Sequence, residues 1–475
     1  MNQPFHFLLT MSPSVNFQRS VQPDYRSLCR KLSGSCIAKT LLCLFWLILV
    51  IPANSGSPVT SQKPPNILLI VSDDQAWTDY GFMGHPHLQT PNLDRLARRS
   101  LQFHRGYVPS SLCCPSLASL ITGRYPHQHG VVCNDPPRPS GMNPKDYYAS
   151  ESYRAGREQL SRFVEQVPTL PRLLQSKGYL SFQSGKWWQN HFSRGGFTHG
   201  MTLGDGTRGG RHGDAGLEIG RKTLQPIYDF IATAKQADRP WMVWYAPMMP
   251  HDPHTPPDRL LAKYRARTDS LAVAKYWAMV EWFDESCGQL ITHLERTGMS
   301  KDTVVAYVTD NGWITDPQSG RYAPRSKQSP YDGGLRTPIL LHWPGRIQPH
   351  KDDHAVSSLD LMPTLLKLTG TTSPPGLGGL DLLDRGAIAK RRAVFGACFT
   401  HDAVDLDRPS SGLRWRWMVQ GNWKLIVPNP PQEPNGALEL YELRQDPGEF
   451  INRAPFETER VERMREDLER WWPGN

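Results

Sequence analysis

The chain has no apolar run long enough to cross a bilayer. Its longest, Leu41–Ile51 (LLCLFWLILVI), has eleven residues, where a spanning helix needs about 20. A mature membrane-spanning segment is therefore not expected. An internal repeat is also lacking, which excludes solenoid and propeller arrays. Cysteine is scarce: there are eight in 475 residues, and three of them, Cys29, Cys36 and Cys43, fall in the first 55. The other five, Cys113, Cys114, Cys133, Cys287 and Cys398, are an odd number and make no complete disulfide framework. Cys113 and Cys114 are adjacent, and neighbours bridge poorly because a disulfide needs separated Cα atoms and a near-perpendicular torsion. At least one sulfur in this set has another fate.

What the sequence does have is an ordinary globular composition, 39% hydrophobic and 21% charged, with core-forming residues in plenty. Its 42 prolines are about twice the usual share and point to long, stiff connections. Arg30, Lys31 and Lys39 precede the eleven-residue apolar run, and the small-residue stretch Ala53-Asn54-Ser55-Gly56 follows it. This is the layout of an export signal over residues 1–55, with an uncleaved anchor as the alternative and Met11 as an alternative start. The expectation is a periplasmic or secreted protein with no stable membrane insertion after processing. Loss of that segment takes the net charge from +9 to +5, a mild excess that suits an anionic substrate.

Asn66–Ser72 (NILLIVS) is a continuous apolar run, the pattern of a strand buried on both faces. Similar runs recur at Trp241–Tyr245, Thr303–Thr309 and Pro338–Trp343. Thr90-Pro91 opens a helix, with a capping residue and proline in the first turn. A longer helix carries Val273, Trp277, Val280, Phe283, Cys287, Leu290 and Leu294 at three- and four-residue steps. Strands alternating with helices predict an α/β fold, a large mixed, mostly parallel sheet flanked by helices. Asn134–Tyr153 and Gly200–Gly220 read as long polar loops at the rim of a site. After about residue 390 the texture changes: MVQGNWKLIV and LELYEL suggest antiparallel strands, and Val461, Met464, Leu468 and Trp471 an amphipathic terminal helix. The expected organisation is a signal segment 1–55, a catalytic domain 65–390 and a small C-terminal α+β subdomain 391–475.

Asp73 and Asp74 stand where the first strand ends, and Asp310-Asn311-Gly312 follows another strand. Ligands bind outside the carboxyl ends of strands in open α/β sheets. If the two strands are neighbours, three carboxylates crowd one spot, each pair repelling by roughly 4 kcal/mol at 4 Å and an effective dielectric near 20. A divalent cation relieves that repulsion, and all-oxygen ligands with an Asn amide favour Ca²⁺ or Mg²⁺ over zinc. Taken singly, Asp73 also suits a helix cap and Asp310-Asn311-Gly312 a turn.

In order along the chain, PNILLIVSDDQ, the Cys-x-Pro-Ser element ending in LITGR, GKWW, PHDP, VTDNG and KQSPYDGGLRTPILLHWPG resemble the formylglycine-dependent sulfatases of the alkaline phosphatase superfamily. The resemblance runs from about Pro65 to Gly345 and continues weakly through GNWKLIV and LYELRQDPGE. It implies an alkaline phosphatase-like fold and hydrolysis of sulfate esters. It also implies that Cys113 is oxidised after translation to Cα-formylglycine by a maturation enzyme, leaving Cys114 as the thiol. One hydroxyl of the hydrated aldehyde attacks the sulfate and expels the alcohol, and the other collapses back to release sulfate. Asp73, Asp74, Asp310, Asn311 and the modified Cys113 are implied as ligands of Ca²⁺, with Mg²⁺ as the alternative. Lys186 and Lys327 are implied to grip the sulfate. His251 is implied to donate a proton to the leaving oxygen, with His254 of PHTP as the alternative.

Two positions depart from the pattern. Leu117 stands where the family has an arginine that helps both maturation and anchoring of the site. Trp188 stands where many members have a histidine that takes a proton from the diol; His191 is close by in sequence. TRGGRHGD offers Arg208, Arg211 and His212 for an acidic sugar, with Trp187 and Trp188 to stack on a ring, against a solvated loop and two core aromatics. The leading expectation is an exported sulfatase acting on a sulfated carbohydrate, with no nucleic-acid partner. The alternatives are a formylglycine-dependent phosphonate monoester or phosphodiester hydrolase, and a non-catalytic protein that binds sulfated glycans.

Overall fold

The computed structural model describes residues 63–205 and 210–474. The expected signal segment 1–55 and Arg208 lie outside the described residues. Nine strands form the main sheet: β1 (Asn66–Ser72), β2 (Leu101–Tyr107), β3 (Leu180–Gly185), β4 (His199–Gly200), β5 (Trp241–Ala246), β6 (Thr303–Thr309), β7 (Arg336–His342), β8 (His350–Asp352) and β9 (Val356–Ser357). Their order is β4-β3-β5-β1-β6-β7-β2-β8, with β9 also on β2. Only β7 runs antiparallel to its neighbours, β6 and β2. The mixed, mostly parallel sheet is the one expected.

The apolar runs are explained by two-sided burial. Successive side chains of a strand point to opposite faces. Ile67, Leu69 and Val71 of β1 join one core cluster, and Leu68 and Ile70 the other. β6 divides the same way, with Val304, Ala306 and Val308 on one face and Val305 and Tyr307 on the other. β5 does so too, through Met242 and Trp244 against Val243 and Tyr245. A strand with both faces covered by helices needs apolar residues at every position.

The long helix is Leu271–Arg296, and the Thr90-Pro91 signal does open a helix, Pro91–Arg98. Thr90 is not its side-chain cap. Its hydroxyl donates to Asp94 Oδ1 (2.9 Å) and accepts from the amide of Gly81 (2.9 Å). The free amides at that end are met from the long helix instead, by Asp284 accepting from Asn92 N (3.1 Å) and Leu93 N (2.7 Å). The 134–153 stretch is less irregular than its composition suggests, since it holds the helical turns Pro144–Ala149 and the start of the Glu151–Glu165 helix. No helix among the described residues is long and apolar enough to cross a membrane.

Beyond the main sheet, β10 (Val394–Phe399), β11 (Leu413–Gln420), β12 (Trp423–Pro428) and β13 (Glu439–Glu442) form an antiparallel sheet in sequential order. The Thr458–Trp471 helix covers it, Met464 and Leu468 packing against Met418, Leu425 and Leu440. This small sheet is tied to the main one by a buried charge cluster. Lys424 of β12 meets Asp332 Oδ1 and Glu449 Oε1, each at 2.9 Å, and Glu449 Oε2 also accepts from Asp332 N (2.6 Å). Removing one partner of a buried ion pair leaves the rest uncompensated. Lys424→Met is therefore expected to lower stability by about 3–5 kcal/mol, read as a reduced midpoint in urea. A midpoint within error of the parent would show that the cluster contributes nothing net.

Candidate active site

The site lies at the carboxyl ends of the parallel strands β3, β5, β1 and β6, which are side by side in the sheet. Asp73 and Asp74 follow β1, Asp310 and Asn311 follow β6, Lys186 follows β3, and His251 lies five residues beyond β5. Cys113 is the first residue of the Cys113–Thr122 helix, reached from the end of β2. Lys327 lies in the connection from β6 to β7. All eight expected residues are buried.

Two glycines of the recognised motifs earn their places sterically. Gly185 has φ +83°, and a Cβ there would stand 1.9 Å from the Ala246 carbonyl oxygen. Only glycine lets β3 turn closely past β5 and deliver Lys186, whose amide donates to that same oxygen at 2.6 Å. Gly312 approaches the Asp332-Gly333-Gly334 turn so closely that a Cβ would meet Gly333 O at 2.1 Å.

Asp74 is the hub. It sits at φ 62°, a left-handed conformation uncommon for a residue with a side chain, and its amide donates to Asp310 Oδ1 (3.1 Å). Its Oδ1 accepts from Asn311 Nδ2 (2.6 Å), and the Cys113 sulfur lies 3.9 Å from that oxygen. Its Oδ2 accepts from Lys327 Nζ (2.7 Å) and lies 3.3 Å from His251 Nε2. Burial pushes the Asp74 carboxyl up, but Lys327, His251 and Lys186 outweigh it and hold it below the ordinary value. Asp73 Oδ1 accepts from Lys186 Nζ (2.7 Å), and Asp310 Oδ2 lies 4.0 Å from the same ammonium. Burial nevertheless pushes the Asp73 carboxyl up to about 7, and raises Asp310 as well. Both lysines keep their charge: burial lowers them, but Asp73 for Lys186 and Asp74 for Lys327 more than reverse it.

This donor set fits a hard divalent cation. Asp73 Oδ2, Asp310 Oδ2 and Asn311 Oδ1 are all buried and without a hydrogen-bond partner, a costly state for oxygens that have left water. Asp73, Asp74, Cys113 and His251 each offer a ligand atom within 4.8 Å of the others. Oxygen acceptors of this kind are the ligands of Ca²⁺ and Mg²⁺.

A cavity of about 330 Å³ opens on this cluster, lined by Cys113, Trp188, His212, His251, Trp313 and Lys327 among others. Of the two candidate histidines, His251 is the one at the acids. Its Nδ1 faces Asp252 Oδ1 (2.8 Å) and Asp252 O (2.6 Å), and its Nε2 faces Asp74. His254 packs on Tyr276 and Trp313, and burial pushes it down to about 4. His191 is not in this cavity; its ring accepts from the amide of Ser193 (3.2 Å) at the start of a short turn. His212 and His401 also line this cavity, the His212 ring sitting edge-on to Trp188 at 4.7 Å and 5.7 Å from that of His251. Burial, then Lys186 and His251, hold His212 well below its ordinary pKa. The TRGGRHGD stretch contained this residue, but nothing in its spacing to Cys113 announced the meeting.

Neither tryptophan of GKWW offers a free face to a sugar. Trp187 packs in the core against Phe197 and Trp244. Trp188 is bracketed by Arg157 (5.3 Å), Arg211 (5.4 Å) and Lys186 (5.7 Å). Leu117 is buried in the main core cluster. The adjacent cysteines diverge: Cys113 lines the cavity, whereas Cys114 accepts a contact from Gln189 Nε2 at 3.7 Å. All five cysteines among the described residues are unbridged and buried.

An α/β sheet with carboxylates, lysines and a buried cysteine gathered at its strand ends defines a hydrolase of the alkaline phosphatase superfamily. The Sulfatase family model matches residues 65–371, and the model for the C-terminal part of N-sulphoglucosamine sulphohydrolase matches residues 320–471. The chain belongs to the formylglycine-dependent sulfatase family, and it is a sulfuric ester hydrolase. It is 29% identical to N-acetylgalactosamine-6-sulfatase of Canis lupus familiaris over 85% of this chain and 84% of the relative. It is 28% identical to arylsulfatase A of Homo sapiens over 82% and 83%. The crystal structure of Ps i-CgsB in complex with k-i-k-neocarrahexaose shares the fold, with a TM-score of 0.67 and 23% identity over 87% of this chain and 94% of that one.

Proposed function

We propose that this protein is an exported hydrolase of sulfate esters on carbohydrates, working through formylglycine at position 113 and a bound Ca²⁺ or Mg²⁺. The observation that carries the reading is the placement of Cys113, its sulfur 3.9 Å from Asp74, in one cavity with Lys327 and His251. Support for a carbohydrate comes from N-acetylgalactosamine-6-sulfatase among the relatives and neocarrahexaose in the structural neighbour. The chain divides, on this reading, into a signal segment 1–55, a catalytic domain 65–390 and a C-terminal subdomain 391–475.

Asp73, Asp74, Asp310, Asn311 and the modified residue 113 would hold the cation, which supplies Lewis acidity and neutralises oxygen charge. Formylglycine supplies, as its hydrate, a hydroxyl nucleophile where the thiol stood. The chain's own groups do the rest. Lys186 and Lys327, kept charged by the carboxylates beside them, turn their ammonium groups to the sulfate oxygens and stabilise the charge that grows there. His251 faces oxygen acceptors at both ring nitrogens. It gives its Nε2 proton to the departing alcohol oxygen. Trp188 and His212 form part of the cavity wall.

The test is turnover of 4-nitrophenyl sulfate beside bis-4-nitrophenyl phosphate, with mass spectrometry of the peptide Gly106–Arg124. The expected result is an aldehyde at position 113 and at least a hundredfold preference for the sulfate. Preference for the diester would make the protein a phosphodiesterase. A second reading has its own observation: Leu117, apolar and buried where the family carries arginine, favours a binder of sulfated glycans that is never matured. A thiol at position 113 with no turnover of either ester would select it.

A further inference from the structure

A second cavity, of about 910 Å³, adjoins the first, and Arg211 and His212 line both. It falls within the range of small-molecule sites, about 300–1,000 Å³. Its wall carries Arg154, Arg157, Arg194 and Arg211 against one carboxylate, Asp214. That carboxylate is already engaged, accepting from the amides of Leu203 (2.8 Å), Asp205 (3.0 Å) and Ala215 (2.5 Å). The cations are less well matched. Arg157 donates to the carbonyls of Asn134 (2.9 Å) and Trp188, and Arg154 to that of Ala149 (2.7 Å). Neither has a carboxylate partner among the described residues. Arg194 pairs with Glu158 at 2.8 Å and lies 3.6 Å from Glu165, yet its Nη1 is buried without a hydrogen-bond partner, as is Trp187 Nε1. The wall thus presents positive charge and free donors with too few acceptors.

We propose that this cavity is the subsite for a second, anionic sugar of the same substrate chain, one that carries a carboxylate or a further sulfate. The inference rests on the sulfated-carbohydrate reading and gives it a substrate class: a polyanionic oligosaccharide rather than a singly sulfated sugar. Burial of guanidinium groups without counter-charge is unfavourable, and the planar fork of arginine matches carboxylate and sulfate oxygens. A neutral sugar would leave the buried Arg157 without a counter-charge, while the exposed Arg154 offers its charge at the rim. Arg211 joins the two cavities. It is tied to Asp135 and held between the rings of Tyr148 (5.0 Å) and Trp188 (5.4 Å), so its position is fixed before any ligand arrives.

The probe is a heparin-derived tetrasaccharide, which carries both carboxylates and sulfates, with maltotetraose as the neutral control. Binding is measured by calorimetry on the parent protein, Arg154→Gln and Arg194→Gln. The expected result is binding of the anionic probe only, weakened about tenfold in each variant. Equal affinity in parent and both variants, or equal binding of the neutral control, overturns the subsite. Arg154 is exposed and bonds only a carbonyl, so its variant keeps the test open should loss of the Arg194–Glu158 pair impair folding. Turnover of 4-nitrophenyl sulfate by the parent reports separately on the sulfatase reading. If turnover is absent while binding still depends on the two arginines, the subsite stands and the sulfatase reading falls.

Discussion

Cys113→Ala is expected to abolish sulfate-ester turnover, by about 10⁴-fold or more, the scale seen when other covalent nucleophiles are deleted. The reasoning is structural. Cys113 lies in the cavity, beside Asp74, with Lys327 on the far oxygen of that carboxylate. As a thiol it is a poor nucleophile, because burial raises its pKa far above the ordinary range even with Lys186 and Lys327 nearby. On the proposed reading the nucleophile is instead a hydroxyl of the hydrated formylglycine. The fold should survive the substitution. Among the described residues its side chain's only hydrogen-bond contact is the long one to Asp74, and the lost sulfur costs on the order of 1 kcal/mol of burial. Rates are compared on 4-nitrophenyl sulfate, and folding by thermal midpoint. Undiminished turnover in a folded variant would end the formylglycine mechanism.

Asp310→Ala is expected to lower Ca²⁺ affinity by more than about 100-fold, beyond what loss of an outer-shell partner typically does, and turnover with it. Asp310 acts twice. Its Oδ2 is one of the three buried oxygens without a hydrogen-bond partner, and its Oδ1 accepts from the Asp74 amide and so holds that residue in its left-handed conformation. On the proposed reading, alanine removes a ligand and releases the hub of the site at once. Folding of the metal-free variant is checked by its thermal midpoint, where the lost acceptor of the Asp74 and Asn311 amides is opposed by removal of one of three mutually repelling carboxylates. Calcium is counted per chain by equilibrium dialysis. A calcium content equal to the parent's would place the cation elsewhere.

Much of the fold could be read from local pattern. β1 and β6 have the bounds that their apolar runs give, because a strand covered on both faces leaves no position for a polar residue. β2 and β3 escaped notice for the converse reason. LQFHRGY mixes polar and apolar side chains on a half-covered strand near the sheet edge, and LSFQSG satisfies its buried Gln183 on the Gly185 carbonyl and its Ser184 on the Trp244 carbonyl of β5. The Thr90 signal located its helix correctly yet named the wrong capping group, since Asp284 reaches it from 191 to 192 residues away.

The sequence by itself determined the family motifs, their order, and the residue types that a cation and a sulfate require. Those are short-range properties, written in runs of a few residues that keep the same chemistry wherever the chain carries them. Tertiary structure alone decided which histidine meets Asp74, that His212 rather than His191 shares the cavity of Cys113, and that Trp187 and Trp188 are walls rather than sugar platforms. It also joined the arginines into a second cavity. The physical reason is that burial and charge pairing depend on distance in space. Strand order, here β3-β5-β1-β6, sets those distances, and nothing in the local pattern of the chain specifies it.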